Sequence, residues 1–152
     1  MNYKNKLIFV QLVLAAIIFD TDVSIEFENK LSDNIQLVVT QNGQPMKLVA
    51  NIAPNGRTTY TLPQGFAGNF RHGFTGKPVT LFEISNKVKD ANIYYDLSVI
   101  DGFNVPMKVT APDGTFIQAQ NANAPDAYLF PADNTKTHGL TKEGKFTVSF
   151  SR

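Results

Sequence analysis

Apolar residues alternate with polar ones in short runs from Ser24 to Phe150, and turn residues break the runs before a helix could form. Ile25 and Phe27 alternate with Ser24, Glu26 and Glu28, and Ile35, Leu37 and Val39 alternate with Gln36 and Thr40. Further extended segments are Thr58–Leu62, Thr80–Ser85 (TLFEIS), Ile93–Ile100 (IYYDLSVI) and Val105–Thr110 (VPMKVT). The last run sets Phe146, Val148 and Phe150 against Thr147, Ser149 and Ser151. Asn42-Gly43, Pro54-Asn55-Gly56 and Pro112-Asp113-Gly114 mark turns, and Gly65, Gly68, Gly73 and Gly76 mark bends. Lys87–Ala91 allows one helical turn at most, and 118–127 (QAQNANAPDA) reads as a loop. Many short strands with turns between them mean an all-β sandwich or barrel. No internal repeat is evident.

A length of 152 residues suits one domain and is long enough to bury a core without staples. That matters because the chain has no cysteine, which removes disulfides, thiolate metal sites and cysteine nucleophiles together. The net charge of +1 argues against a nucleic-acid partner. His72 and His138 are far apart and share no ligand spacing, so no metal is expected. There is no phosphate-binding glycine fingerprint and no Gly-x-Ser-x-Gly elbow, and no cofactor is expected.

The first residues carry Lys4 and Lys6 and no acid, followed by the apolar run Leu7–Phe19 (LIFVQLVLAAIIF). A helix of that length spans roughly 20 Å, too short to cross a bilayer. The pattern is that of a secretory signal over residues 1–21, with a domain over 22–152. No clean small-x-small cleavage site precedes Asp22, and the alternative is a buried first strand or helix. Taking Lys4 and Lys6 from the 14 basic residues and Asp20 from the 13 acidic ones leaves 12 of each. A neutral domain has little attraction for anionic membranes, so membrane insertion is not expected. No Asn-x-Ser/Thr sequon is present.

The run from Tyr95 to Met107 (YDLSVIDGFNVPM) resembles the signature of thaumatin-like proteins, the group that contains thaumatin and osmotin. Flanking segments agree in the same order. Val23–Lys30 is similar to the family's first strand, Thr80–Ile84 to its T-L-A-E strand, Pro125–Tyr128 to its P-D-A-[YF] motif and Phe146–Phe150 to its closing strand. The resemblance implies an antiparallel β-sandwich like the central domain of thaumatin. It also implies a minimal form, because the cysteines are gone and only Lys108–Ala124 stands where the family inserts a disulfide-rich second domain.

The family's acidic cleft holds an Arg, a Glu and three Asp. Carried over by motif, these are Glu83, Asp96, Asp101 and Asp126, with Arg71 offered for the Arg although the aligned register puts Gly73 there. Acids gathered in one cleft repel, so at least one pKa should rise, and a raised acid beside an ionised one is what glycoside hydrolysis needs. On that reading Glu83 is the proton donor and Asp101 or Asp96 its partner. Tyr94, Tyr95, Phe103, Tyr128 and Phe74 are candidate sugar-stacking aromatics. Each has a plainer alternative: Asp101 and Asp126 as turn residues, Asp96 as a structural partner of Arg71, and the phenylalanines as core.

The resemblance implies a secreted, monomeric protein that binds cell-wall β-1,3-glucan, with antifungal defence a family association. A weak endo-β-1,3-glucanase is one alternative. An extracellular scaffold or glycosidase inhibitor is the other.

Overall fold

The computed structural model describes residues 22–152, so the segment read above as a secretory signal lies outside the described residues. The alternation in Val23–Asn29 becomes strand β1, with Val23, Ile25, Phe27 and Asn29 buried and the residues between them half-buried. Ten strands follow: β2 Ile35–Gln41, β3 Lys47–Ile52, β4 Arg57–Leu62, β5 Ala67–His72, β6 Leu81–Asn86, β7 Ile93–Ser98, β8 Met107–Thr110, β9 Phe116–Ala119, β10 His138–Leu140 and β11 Lys145–Phe150. No helix occurs among the described residues, and Lys87–Ala91 is a run of bends.

The strands form a five-stranded sheet in the order β4-β1-β11-β8-β9 and a six-stranded sheet in the order β10-β7-β6-β5-β2-β3. The expected β-sandwich is present with one refinement to its antiparallel character: β1 and β11 run parallel, Phe27 lying beside Val148. The other named strand pairs are antiparallel.

Four strands fall outside the sequence reading. β5 contains Gly68, read above as a bend, yet it pairs with Ile84 on β6. β3 is an edge strand whose side chains are mostly exposed, so its alternation carries no burial signal. β10 has three residues with a glycine at the centre. β9 takes Gln118 and Ala119 from the segment read as a loop, because Gln118 pairs with Lys108 on β8 whatever its polarity. β8 begins only at Met107, after Pro106, which has no N–H for the ladder.

Aromatic rings fill the space between the sheets. Phe27 lies 5.0 Å from Phe70, Phe82 lies 6.3 Å from Phe146, and Tyr95 meets Phe146 edge-on at 5.0 Å. Burying each such side chain stabilises the fold by roughly 1.5–3 kcal/mol, and this core takes the place of cross-links.

Two buried asparagines tie strand ends together. Asn29 Nδ2 donates to the carbonyls of Asp33 and Ile52, both at 2.8 Å, while its Oδ1 accepts from Leu31 N. Asn86 Nδ2 donates to Leu62 O at 3.0 Å.

Candidate functional site

Strand parity decides which side chains can form a site. On β6, Phe82 and Ile84 join the core, so Leu81, Glu83 and Ser85 face outward. On β7, Ile93, Tyr95 and Leu97 point inward, so Tyr94, Asp96 and Ser98 face outward. On β5, Phe70 points inward, so Asn69 and Arg71 face outward. The registers then align Thr40, Asn69, Glu83 and Asp96 as one row across four strands.

This row opens into a shallow groove of about 210 Å³ whose walls include Asn42, Asn69, Glu83, Ser85, Tyr94 and Asp96. A second hollow of about 430 Å³ shares Asn42, Ser85 and Tyr94 with it and runs on to Val88, Lys89 and Asp90. The close approach of β5 to β2 requires Gly68, since a Cβ there would stand 2.1 Å from Thr40 O.

Asp96 is buried and its pKa is pushed up to about 8. Loss of water is the main cause, followed by hydrogen bonding to and repulsion from the Glu83 carboxyl; the Thr137 hydroxyl works in the opposite direction. Asp96 Oδ1 is closed off from solvent and has no N–H or O–H donor among the described residues. Asp96 Oδ2 accepts from Thr137 Oγ1 at 3.2 Å, and Thr137 is in turn held by Tyr128, whose hydroxyl lies 2.8 Å from Thr137 Oγ1 and accepts from Thr137 N.

Tyr94 is a fixed ring. Its hydroxyl donates to Asp90 Oδ2 at 2.7 Å and accepts from Asn92 Nδ2 at 3.1 Å. One side of the ring rests on Gly139 of β10, where a Cβ would stand 3.1 Å from Tyr94 Cε1. Arg71 shares the outer face, and its Nε donates to Asn69 Oδ1 at 3.3 Å. Among the described residues it makes no ion pair with Glu83 or Asp96.

The remaining candidates lie elsewhere. Tyr95 is 1% exposed and points into the core, where it stacks on His138 and where burial raises the pKa of its hydroxyl. Asp101 sits in the turn after β7 and pairs with Lys77 at 2.7 Å. That turn needs Gly102, whose φ is 98°. Asp126 accepts from Gln118 N at 3.1 Å, a local backbone role. Phe103 packs against the core edge, and Phe74 is exposed in the β5–β6 connection. Neither Asp101, Asp126, Phe103 nor Phe74 lines the groove.

Sequence reasoning missed Asn69, Ser85 and Thr137. Parity with Arg71 and Glu83 marks the first two, whereas Thr137 reaches Asp96 from a loop and leaves no local signal. Among the described residues no group of acids and histidines is placed to hold a metal ion.

No family model matches the chain. A thaumatin-like protein of Oryza sativa subsp. japonica is 43% identical over 74 residues, 49% of this chain and 41% of the relative. A thaumatin-like pathogenesis-related protein of Avena sativa is 33% identical over 84 residues, 55% of this chain and 48% of the relative. The matched region thus spans less than half the length of these relatives. The solved thaumatin-like xylanase inhibitor superposes with a TM-score of 0.60 at 16% identity, covering 84% of this chain and 99% of that one. A protein elicitor from Magnaporthe oryzae gives 0.65 at 12% identity, covering 84% and 98%.

These likenesses in sequence and in fold support a member of the thaumatin-like family. At these identities the two solved structures speak for the fold alone. The chain has no cysteine. Only the β8–β9 hairpin and a short loop separate Met107 from Asp126.

Proposed function

We propose that this thaumatin-like chain is a secreted protein that binds cell-wall β-1,3-glucan on the outer face of its six-stranded sheet. The observation that carries the reading is the neighbourhood of a paired carboxyl, Glu83 with Asp96, and an immobilised aromatic ring, Tyr94, on one open groove. Sugar rings stack an apolar face on such a ring while their hydroxyls bond to carboxyl and amide groups. Asn42, Asn69 and Ser85 add polar contacts along the same groove. The continuation toward Val88 and Asp90 suits a chain of sugars rather than a single one.

Binding is favoured over hydrolysis on two counts. Glycosidase carboxyls stand about 5–5.5 Å or 6.5–9.5 Å apart to bracket the scissile bond. Glu83 and Asp96 instead stand directly opposite each other on paired strands, on one wall of the groove and not on two sides of it. The groove also has no opposing wall to exclude water and orient the substrate. If the pair did donate a proton, the buried Asp96, whose pKa is raised, could hold it.

Calorimetric titration with a soluble β-1,3-gluco-oligosaccharide tests the reading. Saturable heat that falls at least about fivefold in affinity for Tyr94→Ala supports it. An affinity untouched by Tyr94→Ala and by Glu83→Gln removes this groove as the site.

A further inference from the structure

The outer face of the five-stranded sheet is not used by the glucan reading, yet it carries the larger groove. Its registers make two rows across the sheet. Arg57, Glu28, Ser149, Lys108 and Gln118 form one; Thr59, Glu26, Thr147, Thr110 and Phe116 form the other. All are polar except Phe116, which is 52% exposed at the end of its row. The groove holds about 680 Å³ and is lined by the hydroxyls of Thr110, Thr147, Ser149 and Ser151, with Lys108 and Phe116 on one side.

The charges on this face do not cancel at the groove. Glu28 already meets Lys30 at 3.4 Å and Arg57 at 3.5 Å, and Glu26 meets Lys145 at 3.7 Å. Lys108 and Arg152 have no Asp or Glu carboxylate within ion-pair distance among the described residues, and the Lys108 ammonium donates to Arg152 O at 2.7 Å. Two cations without an acidic side-chain partner, a row of hydroxyls and a bare aromatic ring together ask for a ligand with three matching features. It must carry an anionic group, several hydroxyls and an apolar ring face. A neutral sugar lacks the first, and a net charge of +1 argues against a nucleic acid.

We infer that this groove binds a carboxylated polysaccharide, with Lys108 meeting a uronate carboxylate and Phe116 stacked on a sugar ring. The hydroxyls of Thr110, Thr147 and Ser149 meet those of the sugar. The two grooves then differ in what they offer: a carboxyl pair in one, cations without an acidic side-chain partner in the other. The site is independent of the glucan groove, because the two lie on opposite outer faces.

The test is binding of the protein to linear polygalacturonate, with neutral dextran and polyglutamate as controls. Lys108→Gln and Phe116→Ala both alter exposed side chains, and circular dichroism confirms that they fold. Saturable binding to polygalacturonate, weakened about fivefold or more by each variant and left unchanged by Glu83→Gln, supports the proposal. Four results overturn it. They are no binding, equal binding of polyglutamate, indifference to both variants, and loss of binding in Glu83→Gln, which would move the ligand to the other face.

Discussion

Asp96 on β7 stands directly across from Glu83 on β6, and the Thr137 hydroxyl holds the outer oxygen of Asp96 at 3.2 Å. Burial and a like charge act on the same carboxyl, which is why its pKa rises so far.

Stability should therefore depend on pH through this residue. The folded-state pKa of about 8 lies above the ordinary 3.8, so the folded protein keeps a proton that the unfolded chain gives up between those values. The stabilisation is fully present below about pH 4 and is lost as pH rises through about 8. Asp96→Asn removes the titration. Its unfolding free energy, measured in urea, should gain on the parent as pH is raised from 5 to 8.5, by about a few kcal/mol at the upper end. A difference that stays constant with pH would contradict the raised pKa of Asp96.

Tyr94 should contribute to glucan affinity through the angle at which its ring is held. Gly139→Ala places a methyl 3.1 Å from Tyr94 Cε1 and must tilt the ring. Its glucan affinity should fall about threefold to tenfold with little change in thermal midpoint. Tyr94→Phe keeps the ring and loses its anchors Asp90 and Asn92, so it should fall between the parent and Tyr94→Ala.

Asp101 should matter little to either property. Its partner Lys77 is 73% exposed, and exposed pairs contribute under about 1 kcal/mol. Asp101→Asn should leave the glucan affinity within about twofold of the parent by calorimetry.

Asn29 should matter a great deal. It is fully buried, and Asn29→Ala strips the donor from two carbonyls and the acceptor from Leu31 N. The expected loss is on the order of 3 kcal/mol in urea unfolding, since each buried polar group left unpaired costs about 1–3 kcal/mol.

The fold was legible because alternation and burial agree on β1, β2, β6, β7 and β11. It was illegible where pairing, not side-chain polarity, makes the strand, as with Gln118 on β9. The same distinction runs through the site. Glu83 and Asp96 could be placed together because both stand outward on strands that are neighbours in sequence. Tyr95 could have been set aside by parity, since it alternates with Asp96 and shares the phase of Ile93 and Leu97. Asp126 and Asp101 match a motif, but what their carboxyls bond to depends on Gln118 and Lys77, which lie in other segments. Thr137 reaches Asp96 across 41 residues of chain, a contact that no local pattern encodes.

The most direct measurement is co-sedimentation of residues 22–152 with insoluble β-1,3-glucan, with cellulose and chitin as controls. A glucan-binding sheet face predicts selective pelleting with β-1,3-glucan that is reduced in Glu83→Gln and largely lost in Tyr94→Ala. Pelleting with none of the three polymers, or pelleting that both variants retain in full, would contradict it.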